Sequence, residues 1–183
     1  MIKTVTKKEL SVRAKTLATI VALASAVLLP QICHIIGRMA GVGTGLGELL
    51  LPMHLPILLV GLMAGPLVGC VSGALAPVIS FALTGMPAFT VLPFMVIELA
   101  VYGLACGLTV KIKLPVILKV VIAQISGRIV RGAAVILSYY LFSGSIAPVS
   151  IINGLKSGAV GILIQLAVIP AVIYMVEHAD KKH

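Results

Sequence analysis

The sequence predicts an all-α integral membrane protein: a compact six-transmembrane-helix bundle with both termini cytoplasmic. Three observations lead there. The chain of 183 residues is 60% hydrophobic and only 10% charged, where a soluble domain carries about 25% charged residues, so it has too little polar surface to coat a water-facing globule of its size. Five apolar stretches reach the length of about 20 residues needed to cross a bilayer, and one of them, Leu49–Leu83, is long enough for two crossings. The basic residues gather at the ends of those stretches, and mostly at one side.

The first span is predicted over residues 13–37. Basic residues followed by an apolar run through Ala24-Ser25-Ala26 imitate a cleavable leader, but Val27, Leu28 and Leu29 continue the apolar core beyond the small residues, which in a leader would follow it. The helix is therefore expected to be retained. The long stretch is divided at Gly65-Pro66, because Gly suits the end of one helix and Pro the first position of the next. That predicts a second helix over 49–64 and a third over 66–84. The remaining runs predict helices over 91–110, 114–142 and 148–176. No tandem repeat and no low-complexity linker divides the chain, so residues 1–183 are expected to form one membrane domain.

Charge tests the division independently, since Lys and Arg near span ends concentrate on the cytoplasmic side. Six spans put Lys3, Lys7, Lys8, Arg13, Lys15, Lys111, Lys113, Lys119, Lys181 and Lys182 on one side, leaving Arg38 and Lys156 toward the other. With five spans the middle cluster and the tail would cross over, and the bias would vanish. The net charge of +9 thus reports orientation, and no nucleic-acid partner is expected. Cys33, Cys70 and Cys106 are far apart in or beside apolar runs and read as small hydrophobes, without a disulfide or metal role.

In lipid, helices approach closely where small residues line a face. Gly61, Gly65, Gly69 and Gly73 recur at a spacing of four, with the pairs Gly103/Gly107 and Gly154/Gly158 beyond them. Close internal packing is the plainest use of these. Ala14, Ala18, Ala22 and Ala26 make a second stripe, on the first helix. Packing within the protein and docking of a separate membrane subunit are both open for it.

Ionisable groups within apolar helices are costly and point to function. Glu98 lies in the predicted fourth helix with Tyr102 one turn on. Gln124, Arg128 and Arg131 share a side of the fifth. Gln31 and His34 lie near the outer end of the first helix, His54 in the second, and Asn153 and Lys156 at the outer start of the sixth. One carboxylate against two guanidinium groups leaves a positive charge over. The residues leave two uses open: an ion pair that holds helices together, or a site for an anionic or strongly hydrogen-bonding ligand. His34 and His54 could also simply reach water. No phosphate-binding loop, zinc helix, nucleophile elbow or aspartate cluster is present, so neither an enzyme nor a cofactor is expected.

The run Leu51-Pro52-Met53-His54-Leu55-Pro56, the glycines from Gly61 to Gly73, Pro77-Val78-Ile79-Ser80, Thr84-Gly85-Met86-Pro87, Glu98-Leu99-Ala100-Val101-Tyr102-Gly103-Leu104 and Gly127-Arg128-Ile129-Val130 come in an order that resembles the substrate-binding S component of an energy-coupling factor (ECF) vitamin transporter. Individually these motifs are weak; their order within six helices makes the resemblance specific. It implies a six-helix, multi-pass protein of the cell membrane that captures a vitamin or precursor from outside. It also implies that Ala14, Ala18, Ala22 and Ala26 dock onto a transmembrane T component driven by two ABC ATPase subunits, and that the protein topples in the membrane to release its ligand. The implied pocket lies under the loops at 38–52, 84–90 and 143–147, above Gln31, His34, His54, Glu98, Tyr102, Arg128, Arg131 and Asn153. With no Trp, four Phe and four Tyr, aromatic stacking is sparse. That favours a pantothenate-like acid or a small pyridine or pyrimidine over a flavin, thiamin or pterin. The alternatives are a structural or assembly subunit of a membrane complex, and a stand-alone secondary carrier.

Overall fold

Apolar helices in lipid must satisfy every backbone group internally, and the computed structural model, which describes residues 11–43 and 45–179, is helical almost throughout, with no strand among them. The helices are α1 (Val12–Met39), α2 (Gly45–Leu50), α3 (His54–Ala64), α4 (Pro66–Thr84), α5 (Leu92–Thr109), α6 (Val116–Phe142), α7 (Val149–Ser157) and α8 (Ala159–Ala179). Six segments are long and apolar enough to cross a membrane, Gly45–Ala64 counting as one that α2 and α3 share. Six alternating spans bring the start of α1, the α5–α6 turn and the end of α8 to one end of the bundle, here the terminal end. The α1–α2, α4–α5 and α6–α7 connections lie at the far end.

The division at Gly65-Pro66 is observed: Gly65 has φ 98°, a conformation that side chains disfavour, and Pro66 opens α4. Two predicted helices are each broken in two. The helix expected over 49–64 starts only at His54, because Leu51 takes a left-handed φ of 49° and Pro52 follows it, separating α2 from α3. The helix expected over 148–176 is interrupted at Gly158, leaving α7 as a separate short segment ahead of α8. The first break falls inside apolar sequence, where hydropathy carries no signal of it; the second follows Asn153, Lys156 and Ser157, a polar dip ahead of Gly158.

The glycine rows bring backbones together. A side chain on Gly69 would strike the Gly103 carbonyl, one on Gly103 the Gly69 carbonyl, and one on Gly73 the Leu99 carbonyl, and α4 with α5 forms the most extensive helix pairing. α3, α5, α6 and α8 surround a core of Leu58, Leu62, Tyr102, Cys106, Val120, Ala123, Ile169 and Ile173.

The alanine stripe of α1 divides by burial. Ala26 is wholly buried with Met53, Ile57, Ala76 and Leu99, and Ala22 is buried with Val60 and Ala64. These two are core residues of this protein, covered by α3 and α4. Only Ala14 and Ala18 are partly exposed.

Candidate functional site

Glu98 sits in the second turn of α5 with its side chain sealed from solvent. Helical spacing of four brings Tyr102 onto the same face, and the Tyr102 hydroxyl donates to Glu98 Oε1 at 2.8 Å. The Tyr102 ring can lie flat toward α6 because Gly127 stands opposite; a side chain there would run into the ring. One turn along α6, Arg131 Nη1 donates to the other carboxylate oxygen, Glu98 Oε2, at 2.9 Å, with the Arg131 side chain 27% exposed. His54, buried at the start of α3, completes the cluster, its ring centroid 5.3 Å from that of Tyr102.

Arg128 is placed differently. It forms no ion pair among the described residues, and its Nε is buried without a hydrogen-bond partner. Its Nη2 reaches beneath the α7–α8 junction, 3.3 Å from where a Cβ on Gly158 would stand. Beside it lies a cavity of about 60 Å³ lined by Arg128, Arg131, Gly132, Ile151 and Leu155. Thus one guanidinium is neutralised by Glu98 and the other faces a hollow roofed by α7.

The remaining expected site residues are less closely gathered. Gln31 Nε2 and His34 Nδ1 are buried and unpartnered on α1. α2 packs over His34 because Gly47 has no side chain; a Cβ there would come within 3.0 Å of the ring. Asn153 is exposed on α7 and forms no hydrogen bond with the Glu98 cluster.

One functional candidate was not anticipated. Gln165 of α8 is buried, accepts from Gln124 Nε2 at 2.8 Å and donates through its own Nε2 to the Leu51 carbonyl at 3.2 Å. Opening the helix at Leu51 frees carbonyls that need donors, and this pair of amides ties α6 and α8 to the broken span. An amide in the middle of the most apolar span was the available signal.

Six apolar spans around a buried, charged cluster, two of them interrupted beside it, define a polytopic integral membrane protein. A family model described as ECF transporter, substrate-specific component, matches residues 15–176, and the chain belongs to that family. It is therefore a multi-pass cell-membrane protein, the substrate-binding subunit of an ECF transporter; such subunits bind a transported molecule rather than catalyse a reaction, and work with T and ATPase partners. Comparison with curated proteins and with solved structures finds no match.

Proposed function

We propose that this protein captures a small vitamin or vitamin precursor, a pantothenate-like acid or a small pyridine or pyrimidine, at the outer face and passes it inward through a T component and two ATPases. The observation that carries this reading is the unpaired Arg128 beside a cavity at the far end of the bundle, in a chain whose few aromatic residues suit hydrogen bonding better than ring stacking. Orientation supports it. Arg13, Lys15, Lys111, Lys113 and Lys119 are at the terminal end and only Arg38 and Lys156 at the far end, which by the positive-inside rule turns the far end outward and both termini to the cytoplasm. Lys3, Lys7, Lys8, Lys181 and Lys182, which strengthen the bias, lie outside the described residues.

The cavity of about 60 Å³ is far smaller than the roughly 300–1,000 Å³ that encloses a whole small-molecule ligand. It takes one functional group of a vitamin, and α7 has to lift for the rest. Ile151 and Leu155 of α7 line the cavity, and no residue of α7 is fully buried. The test is to purify the protein in mild detergent and identify co-purified small molecules by mass spectrometry, with calorimetry against a vitamin panel. A stoichiometric vitamin-like ligand is the expected result.

A structural or assembly role is the second reading, favoured by the internal pairing of both Glu98 oxygens, one with Tyr102 and one with Arg131. A panel without any binding would move the assignment to it.

A further inference from the structure

Within the binding reading above, on which it rests, we infer that the ligand carries an anionic group, a carboxylate or phosphate, that Arg128 receives, while Glu98, Tyr102 and Arg131 form a closed support beneath it. Both Glu98 oxygens are already taken, one by the Tyr102 hydroxyl and one by Arg131. The carboxylate is sealed from solvent and its charge is already matched by Arg131, so it is poorly placed to receive a cationic ligand. Arg128, three residues earlier on the same helix, keeps a full positive charge with its Nε buried and unpartnered. An uncompensated guanidinium within a membrane helix is costly, and a bidentate anion relieves that cost with the strongest hydrogen bonds such a group can make.

The surroundings fit this division. Arg128 and the ion-paired Arg131 both line the cavity, and Ile151 and Leu155 of α7 supply its apolar lining. Gly132 leaves the middle free: a Cβ on it would sit 3.7 Å from Ile151 Cδ1, in ordinary contact with nothing displaced. Gly158 lets Leu51 and Arg128 Nη2 come in under the α7–α8 junction, where a Cβ would meet both. A small anionic head enclosed by an apolar roof is a charge-selective arrangement, because a neutral analogue would leave the guanidinium desolvated and unpaired.

The experiment compares matched acid and neutral probes, nicotinate against nicotinamide and pantothenate against panthenol, by calorimetry on the full chain in phospholipid-free detergent. At least one acid should bind roughly 30-fold or more tightly than its neutral partner, and Arg128→Gln should remove that preference while Arg128→Lys restores part of it. Should Arg128→Gln fail to fold, Gly132→Ala carries the test. It adds a methyl inside the cavity without a clash, so acid binding should weaken several-fold with the melting temperature unchanged or raised. Neutral probes binding as well as their acids, or acid affinity unmoved by Arg128→Gln and by Gly132→Ala, would overturn the inference and leave a vitamin-binding subunit standing. Acid displaced by phosphatidylglycerol in an Arg128-dependent way would assign the site to a lipid headgroup and overturn it too. If no probe of either kind binds and no ligand co-purifies, the binding reading fails together with the inference.

Discussion

At the scale of single residues, the two arginines of α6 have the same charge, lie one turn apart and do opposite things. Arg131 is fixed by Glu98 and Arg128 is not. Removing one member of the buried pair strands the other, so Glu98→Gln and Arg131→Gln should each lower stability by about 2–4 kcal/mol, the exposure of Arg131 tempering the cost. Tyr102→Phe, which loses one hydrogen bond to a charged group, should cost about 1–2 kcal/mol. Arg128→Gln should leave the melting temperature unchanged or raise it, because no ion pair among the described residues balances that charge. Thermal melts of the four variants in one detergent check the set; equal losses for both arginines would show that Arg128 has a structural partner after all. The Glu98–Tyr102 contact was legible in the sequence because a spacing of four on a helix is a local fact. Which arginine meets Glu98 was not, since that depends on the rotation and rise of α6 against α5, and these follow from Gly127 making room for the Tyr102 ring. Gln165 was missed because an uncharged amide stands out less than a charge, and its partners Gln124 and Leu51 are 41 and 114 residues away.

At the scale of helices, the division between α3 and α4 could be read because Gly65-Pro66 acts on its own backbone. The break at Leu51 could not. Leu51 has a side chain in a conformation that favours glycine, and it is held there by contacts from elsewhere in the chain, including the hydrogen bond from Gln165. Gln165→Leu should therefore loosen the α2–α3 junction, visible as faster hydrogen exchange at residues 51–54 with the α4–α5 pairing unaffected. Glycines likewise separate by position rather than by spacing. Gly103→Ala and Gly73→Ala drive a methyl into the facing backbone, which cannot move aside as a side chain would, and each should cost about 3 kcal/mol or more or prevent folding. Gly132→Ala meets only ordinary contacts and should be neutral or stabilising by up to about 1 kcal/mol through helix propensity. Comparing the unfolding of the three variants checks whether close approach, and not merely helix formation, explains the glycine rows.

At the scale of the whole molecule, the question is which surface remains for the T component once the protein has packed its own core. The family implies such a partner, and the regular alanine spacing on α1 suggests one continuous docking stripe, but the stripe divides along its length. Ala22 and Ala26 are covered by α3 and α4, whereas Ala14 and Ala18, in the first two turns of α1, keep part of their surface open at the terminal end. A partner helix approaching from the membrane can therefore reach Ala14 and the open side of Ala18, whose other side packs against Ala22, Val60 and Ala64. Ala14→Leu with Ala18→Leu should abolish co-purification with the T component and ATPases while leaving vitamin binding and melting temperature near those of the parent. Ala26→Leu must instead fit three further carbons among Met53, Ile57, Ala76 and Leu99, and overpacking of that kind costs about 1–3 kcal/mol in a well-filled core. Its effect should appear as lost stability before any effect on assembly. The opposite pattern, with the Ala14/Ala18 double variant assembling normally and Ala22→Leu folding well but failing to assemble, would mean that α1 separates from α3 during docking. Partner binding would then be coupled to a rearrangement of the same helix that carries Gln31 and His34.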